Sequence, residues 1–142
     1  MKSFKFLLAV SLVLVLFSCN KEEDTEVIID YVGSADYQVK NNLDTAVVIS
    51  FTTSAQLGNE EVDSISLDAN TTVSIFYDAV IGRAPNPTDS FSEIRIFLAT
   101  DLENPLLVLF PVENEDWILI DELFNTEGPS LPHRVYEFVL ND

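Results

Sequence analysis

The sequence is poor in the residues from which most catalytic and metal sites are built. It contains one cysteine and one histidine, and its four glycines stand singly rather than in a phosphate-binding loop. Zinc sites draw on several His and Cys side chains, and a nucleophilic serine or cysteine needs a base, usually histidine. No Gly-x-Ser-x-Gly motif accompanies the single histidine, His133. We therefore expect His133 to be a surface-loop residue and the protein not to be an enzyme.

Basic residues are also scarce. Seven lysines and arginines stand against 24 acids, which gives a formal net charge of −17. A chain with this charge is repelled by phosphate backbones and by anionic lipid headgroups. Nucleic acid is therefore excluded as a partner, and a basic patch cannot hold the protein on a membrane.

The amino terminus has the layout of a leader segment. Lys2 and Lys5 precede an apolar run of 12 residues, 6–17. As a helix this run would rise about 18 Å, well short of the roughly 30 Å hydrocarbon core of a bilayer. The length favours a signal peptide, with a short uncleaved membrane helix as the alternative.

The residues that follow the apolar run carry a more specific signal. Leu16-Phe17-Ser18-Cys19 resembles the lipobox of bacterial lipoproteins, although Phe17 departs from the small residue usual at its position. The resemblance implies that residues 1–18 are a cleaved signal peptide and that the thiol of Cys19 accepts diacylglycerol. Cleavage there leaves 124 of the 142 residues and, by removing Lys2 and Lys5, a formal charge of −19. A lone cysteine also cannot form an internal disulfide.

A second targeting signal follows shortly after the cysteine. Lys21, Glu22, Glu23 and Asp24 resemble the acidic surface-export signal of Bacteroidota lipoproteins. The likeness is to the small uncharacterised outer-membrane lipoproteins of that group, and it brings no catalytic or binding residues to transfer. It implies a lipid-anchored, surface-exposed protein of the outer membrane. The alternatives are a purely solvated tether over residues 19–26 and display on the periplasmic face.

Residues 27–142 have the pattern of an all-β domain. Short runs of alternating apolar and polar residues are separated by turn residues, and no long amphipathic helix is visible. The spacing predicts an antiparallel, immunoglobulin-like β-sandwich of about seven to eight strands. Within it, residues 63–67 and 72–77 are expected to form a hairpin. The run 106–110, apolar on both faces, is expected to be a central strand.

Three kinds of candidate binding site follow from this pattern. Long connections are predicted at 78–91 and 125–133, where a sandwich often carries its binding residues, although plain crossovers fit equally well. An exposed aromatic platform for a glycan is predicted from Phe76, Phe97 and Trp117, with Tyr31 as a further candidate; the alternative is that these rings are covered. Acidic turns at 101–104 and 113–116 would suit calcium better than other metals, but they fit ordinary solvated turns.

Together these features predict a lipid-anchored cell-surface protein that binds a surface protein or a glycan, as an accessory to adhesion or nutrient capture. No cofactor is expected, and calcium at the acidic turns is only the alternative to ordinary solvated turns. The alternative is a small enzyme or enzyme inhibitor acting through loops 78–91 and 125–133.

Replacing the single thiol tests the anchor directly. Cys19→Ala is expected to yield an unprocessed or soluble protein, because no other side chain in the chain can accept the thioether-linked lipid. Mass spectrometry of the amino-terminal peptide from membranes of the native cell provides the measurement. Ser11→Ala, a change of similar size inside the apolar run, should leave acylation intact. Acyl chains on the Cys19→Ala protein would contradict the expectation.

Overall fold

A computed structural model describes residues 31–124 and 131–141 of the chain. Eight β-strands make up most of this part, with two 3₁₀ turns at Ala55–Leu57 and Asn114–Asp116 and one short helix, α1, at Pro87–Ser90. The strands are β1 Val32–Asn41, β2 Val47–Thr53, β3 Glu61–Leu67, β4 Thr71–Ile81, β5 Phe91–Leu98, β6 Asp101–Leu109, β7 Ile118–Leu123 and β8 His133–Leu140. The predicted all-β fold is confirmed for these residues.

The strands form two four-stranded sheets. The first has the order β4-β1-β8-β7, and the second has the order β3-β2-β5-β6. Inward side chains of both sheets belong to one buried cluster, whose fully buried members include Tyr37 of β1, Ile49 of β2 and Ile96 of β5. The two sheets therefore pack face to face as a sandwich, as predicted.

The strand order departs from the immunoglobulin-like arrangement. Immunoglobulin constant-type domains place the first, second, fifth and fourth strands in one sheet, whereas here β2 and β5 pair with β3 and β6. Nor is the pairing wholly antiparallel, because β1 runs parallel to β8 from the Ser34–His133 pair to the Asn41–Leu140 pair. Parallel neighbours need a long connection, and the first and last strands of a chain meet that requirement.

The predicted hairpin between residues 63–67 and 72–77 is wrong. These segments are β3 and β4, which belong to different sheets, so the turn between them carries the chain from one sheet to the other. The buried side chain of Asn41 holds this crossing, since its amide donates to the carbonyl of Asp68 at 3.1 Å. Asn70, with φ of 57°, supplies the left-handed residue of the turn.

The expectation of a central strand at 106–110 is also wrong. These residues belong to β6 and to the residue after it, and β6 is an edge strand of the second sheet. Of these residues, Leu107 and Leu109 pack against the core, while Leu106 and Val108 are exposed. A strand that is apolar on both faces is therefore left with one apolar face in water.

A β-bulge in β4 decides which of its side chains enter the core. Tyr37 pairs with Phe76 and Gln38 pairs with Ser74, so Ile75 is an extra residue in β4. Ile75 is buried and Phe76 packs on the core beside it. Strict alternation after Ile75 would point Phe76 and Asp78 to solvent, but the bulge reverses the alternation and turns both inward.

The connection between β4 and β5 packs closely over the start of β1. A Cβ placed on Gly33 would lie 2.5 Å from the backbone nitrogen of Ala84 and 2.6 Å from the carbonyl carbon of Arg83. These are backbone atoms, which cannot rotate away as a flexible side chain can. Glycine at position 33 is therefore required by the close approach of two chain segments.

Gly33→Ala is expected to lower the free energy of unfolding by about 1–3 kcal/mol, since the 82–86 segment must move away from β1. Chemical denaturation monitored by tryptophan fluorescence measures the change through Trp117. Val32→Ala, at the exposed neighbouring position, should change stability by about 0.5 kcal/mol or less. Equal stability of the Gly33→Ala and Val32→Ala proteins would show that the approach is not tight.

Candidate functional site

The two edge strands β6 and β7 lie on the same side of the sandwich. The short turn between β3 and β4 keeps those two edges together, and Trp117, just before β7, stacks on Phe91 of β5, the neighbour of β6, at 5.7 Å. β4 and β3 therefore share one side of the sandwich, and β7 and β6 share the other.

Most of the exposed apolar surface is collected on the β6–β7 side. Nine of the thirteen large apolar side chains that are exposed among the described residues lie on these strands or directly after them. We call this set the apolar edge surface; it consists of Leu102, Leu106, Val108, Phe110, Ile118, Leu119, Ile120, Leu123 and Phe124. Scattered apolar residues are normal on protein surfaces, so this concentration makes the β6–β7 side the candidate interaction site among the described residues.

β7 is the most open part of this surface. All six of its residues are exposed, and its backbone pairs with β8 on one side only. Natural edge strands are usually blunted by lysine or proline, and β7 contains neither. A bulge at Ile120 is its one irregularity, because Leu119 pairs with Tyr136 and Asp121 pairs with Val135.

The other edge strands are better protected. β6 carries Pro105, and its register against β5 shifts twice. β3, the opposite edge of the second sheet, exposes Glu61, Ser64 and Ser66. β4, the other edge of the first sheet, also lacks lysine and proline, but its exposed residues include Thr71, Thr72 and Ser74. Of the four edge strands, β7 therefore exposes the most large apolar side chains beside its free backbone edge.

The charges near the apolar edge surface are mainly acidic. Asp121 and Glu122 are the only charged residues of β7. Glu122 accepts a hydrogen bond from Arg134 Nε at 2.8 Å, and this bond raises the pKa of the guanidinium. With the strongly negative chain around it, the surface suits a partner that is apolar and basic.

The predicted aromatic platform is not assembled. Trp117 is buried in the core, where it contacts Tyr37 and Phe138 as well as Phe91. Phe76 also packs on the core through the β4 bulge. Phe97 is half-buried and pairs with Val48 on the opposite strand, and Tyr31 lies at the start of β1. These side chains do not meet on one face.

The burial of Trp117 follows from the turn before it. The 3₁₀ turn Asn114–Asp116 ends at Trp117, whose backbone N–H bonds to the carbonyl of Asn114. This turn directs the indole into the core, and its Nε1 is buried with no hydrogen-bond partner among the described residues. Alternation along 117–120 gives no sign of the turn.

The first predicted binding loop, 78–91, is not an open loop, because much of it is regular secondary structure held in place by side-chain contacts. β4 extends to Ile81, and α1 occupies 87–90. Arg83 makes a two-bond ion pair with Asp89, which lowers the pKa of that carboxyl. Asn86 Oδ1 accepts the Tyr136 hydroxyl at 2.9 Å, and the flanking prolines are buried.

The second predicted loop, 125–133, lies partly outside the described residues, which stop at 124 and resume at 131. His133, expected in a surface loop, is the first residue of β8. It is half-buried, and its Nδ1 lies 2.9 Å from the Ser34 hydroxyl oxygen. The expectation of a loop histidine is therefore wrong, since β8 begins earlier than the apolar pattern indicates.

A buried polar chain lies inside the core. The hydroxyl of Ser90 donates to Asp78 Oδ2 at 2.7 Å and accepts from the Tyr37 hydroxyl at 2.9 Å. Tyr37 and Ser90 are fully buried, so this serine has no access to a substrate. Burial, with the nearby Asp78 charge, raises the pKa of Tyr37 far above its ordinary value of 10.0.

The acidic turns considered for calcium are partly engaged with their own backbone. Asp101 accepts hydrogen bonds from the side chain and backbone of Asn104, which lower its pKa. Within residues 31–124 and 131–141, no three His, Cys, Asp or Glu side chains come together as a metal-binding group.

The predicted anchor lies outside the described residues. This applies to the signal peptide 1–18, to Cys19, to the export signal at Lys21, Glu22, Glu23 and Asp24, and to the tether 19–26. No helix in the described part of the chain is long and apolar enough to cross a bilayer.

Comparisons with known proteins give no relative. No family model matches the chain, and no curated protein and no solved structure matches it.

Sequence reasoning missed the apolar edge surface, although its residues form two visible runs, 106–110 and 118–124. An apolar run such as 106–110 indicates a buried strand, but it does not show whether a second strand lies on each side of it. The position of a strand at the edge of a sheet depends on the topology, which periodicity does not reveal.

Ionisation of Tyr37 should make stability fall at high pH. The folded state keeps the phenolic proton above pH 10.0, where an unfolded chain releases it, so rising pH favours unfolding. Between pH 10 and the higher folded pKa, the wild type should lose about 1.4 kcal/mol per pH unit more than Tyr37→Phe. Urea unfolding at stepped pH measures both slopes. Tyr77→Phe, on the exposed face of β4, should keep the wild-type slope, and equal slopes for the wild type and Tyr37→Phe would contradict the expectation.

Proposed function

We propose that this protein is a lipid-anchored binding protein of the bacterial outer-membrane surface, and that it captures a partner protein through the apolar edge surface. The concentration of exposed apolar side chains on β6 and β7 carries the proposal. The lipobox-like segment ending at Cys19 and the acidic residues behind it support the anchor and the surface location.

The proposed occupant of the edge is an extended strand of another protein. β7 offers a backbone edge without lysine or proline, and an added strand would pair with that edge while its side chains cover the exposed leucines and isoleucines. Main-chain hydrogen bonds would supply affinity, and the apolar contacts would supply selectivity.

Charge distinguishes a foreign partner from a second copy of the chain. Two copies would bring together molecules that each carry a formal charge of −17, or −19 after the predicted cleavage. A strand with apolar residues flanked by lysine or arginine avoids this repulsion and adds attraction.

The role is binding rather than catalysis. The most elaborate polar cluster among the described residues, Tyr37–Ser90–Asp78, is closed to solvent and supports the core. The β4–β5 connection, through which the alternative enzyme or inhibitor would act, is held by the Arg83–Asp89 ion pair and by the hydrogen bond between Asn86 and Tyr136. Adhesion and nutrient capture are the surface tasks that suit a small binding protein of this kind.

Site-specific photocrosslinking in intact cells tests the proposal. A photoreactive amino acid at Leu123 is expected to capture one surface protein, and Ile120→Lys in the same chain should reduce that product on the order of tenfold, because a charge then enters the apolar contact. Gel shift and mass spectrometry identify and quantify the product.

Ile81→Lys provides the matched control. Ile81 is an exposed isoleucine of an edge strand of the same sheet, but it lies on the opposite side of the sandwich. This variant should leave the crosslinked product unchanged. Capture that survives Ile120→Lys, or that Ile81→Lys abolishes equally, would refute binding at β7.

A further inference from the structure

The described part of the chain contains an apolar cavity at the end of the sandwich opposite the start of β1. It has a volume of about 520 Å³. Five leucines contributed by both sheets and by the β1–β2 turn form its walls: Leu43, Leu98, Leu106, Leu107 and Leu140. Cavities of roughly 300–1,000 Å³ lined mainly by apolar groups are typical of small-molecule sites.

The space exists because the register of β5 and β6 slips at this end. Phe97 pairs with Pro105, but the next residue, Leu98, pairs with Asp101, so three residues of β6 have no counterpart in β5. Leu98 and Leu107 remain packed on the core beside the gap. The shift in register therefore leaves space between the walls of the cavity, while the leucines of β5 and β6 stay packed on the core.

Buried hydrogen bonds hold the wall formed by the β1–β2 turn. Asn41 accepts the backbone N–H of Leu43 at 3.0 Å and donates to the carbonyl of Thr45 at 2.8 Å. The backbone N–H of Asn42 donates to the carbonyl of Leu140 at 3.0 Å, which ties this turn to the end of β8. The cavity is therefore bounded by a fixed turn, as a preformed binding site requires.

The polar groups at the cavity select the charge of a ligand. Asp44 supplies an exposed carboxylate, and Thr45 and Asn141 complete the polar part of the lining. Asn141 Oδ1 already accepts from Asn42 Nδ2 at 2.9 Å. No lysine or arginine lines the cavity among the described residues. A cationic head is therefore attracted, whereas an anionic head faces both Asp44 and the negative field of the chain.

We propose that this cavity binds a small amphipathic amine, with a compact apolar body among the five leucines and an ammonium head against Asp44. β1 runs from the amino-terminal end of the described residues to the cavity, over about 33 Å for ten residues. The binding itself does not depend on the anchor or on the partner at β7.

Leucine-methyl NMR of the full chain in detergent micelles tests the proposal with three probes that share one apolar cage: 1-adamantylammonium, 1-adamantanol and 1-adamantanecarboxylate. Titration with the ammonium is expected to shift the methyl resonances of Leu43 and Leu140 to saturation. These shifts should occur at lower ligand concentrations than any shift of the Leu119 and Leu123 methyls. The carboxylate should bind on the order of tenfold more weakly, because its head meets a like charge.

Asp44→Asn should lower the affinity for the ammonium about threefold, as expected for the loss of one solvent-exposed ion pair. It should leave the affinity for the alcohol unchanged. Asp121→Asn, the same charge change on β7, should alter ammonium binding less than Asp44→Asn does. Leu98→Phe should abolish saturation by filling the cavity, and the Asp44 comparison still decides the question if that variant does not fold.

Methyls of Leu43 and Leu140 that do not shift up to the solubility of the ammonium would overturn the proposal. So would equal affinities for the three probes, or equal effects of Asp44→Asn and Asp121→Asn. None of these results bears on crosslinking at Leu123, so failure of the cavity site and failure of the partner site are distinguishable.

Discussion

The hydroxyl of Tyr37 must find a partner inside an apolar core, and much of the structure is arranged around that requirement. The ring stacks on Tyr136 at 5.6 Å and meets Phe91 edge-on at 4.9 Å, which places the phenol at the centre of the aromatic core. A buried hydroxyl without a partner costs about 1–3 kcal/mol. Ser90 and Asp78 satisfy it, and each reaches the core through a local irregularity: Ser90 through α1, and Asp78 through the bulge at Ile75.

The same requirement explains why the β4–β5 connection is not free to act as a binding loop. Because Ser90 must remain beside Tyr37, the preceding residues are fastened over β1. The Arg83–Asp89 pair and the approach of Ala84 to Gly33 secure that position. The segment 78–91, which the sequence predicts as a long connection suited to binding, is thus held in place by the core and by β1. The two proposed binding sites therefore lie elsewhere, at the β6–β7 edge and in the cavity beside Asp44.

Periodicity predicted the strands well and their neighbours poorly. The alternation typical of an all-β domain matches the burial of Val47, Ile49 and Phe51 on β2, and likewise that of Tyr136, Phe138 and Leu140 on β8. It failed at Phe76, where one extra residue reverses the alternation, and at Trp117, where a 3₁₀ turn directs the indole inward. It also paired β3 with β4, because a short turn fits a hairpin and a crossing between sheets equally well. Bulges, turns and sheet order depend on contacts far apart in the sequence, such as that between Asn41 and Asp68, which no local pattern contains.

The asymmetry of the edges follows from how the two sheets end. On the β3–β4 side, the β3–β4 turn passes between the sheets, Phe76 packs against Phe51 and the β3 edge is polar, so the core is closed. On the β6–β7 side, Trp117 is the last large ring of the core, and Leu119 beyond it stays half-exposed although it pairs with the inward-facing Tyr136. Leu119 faces the interior without a neighbour to cover it among the described residues. An added strand at β7 would complete the core on this side. Apolar surface that is exposed in the isolated chain would then be buried on binding, and this burial would contribute to the binding free energy.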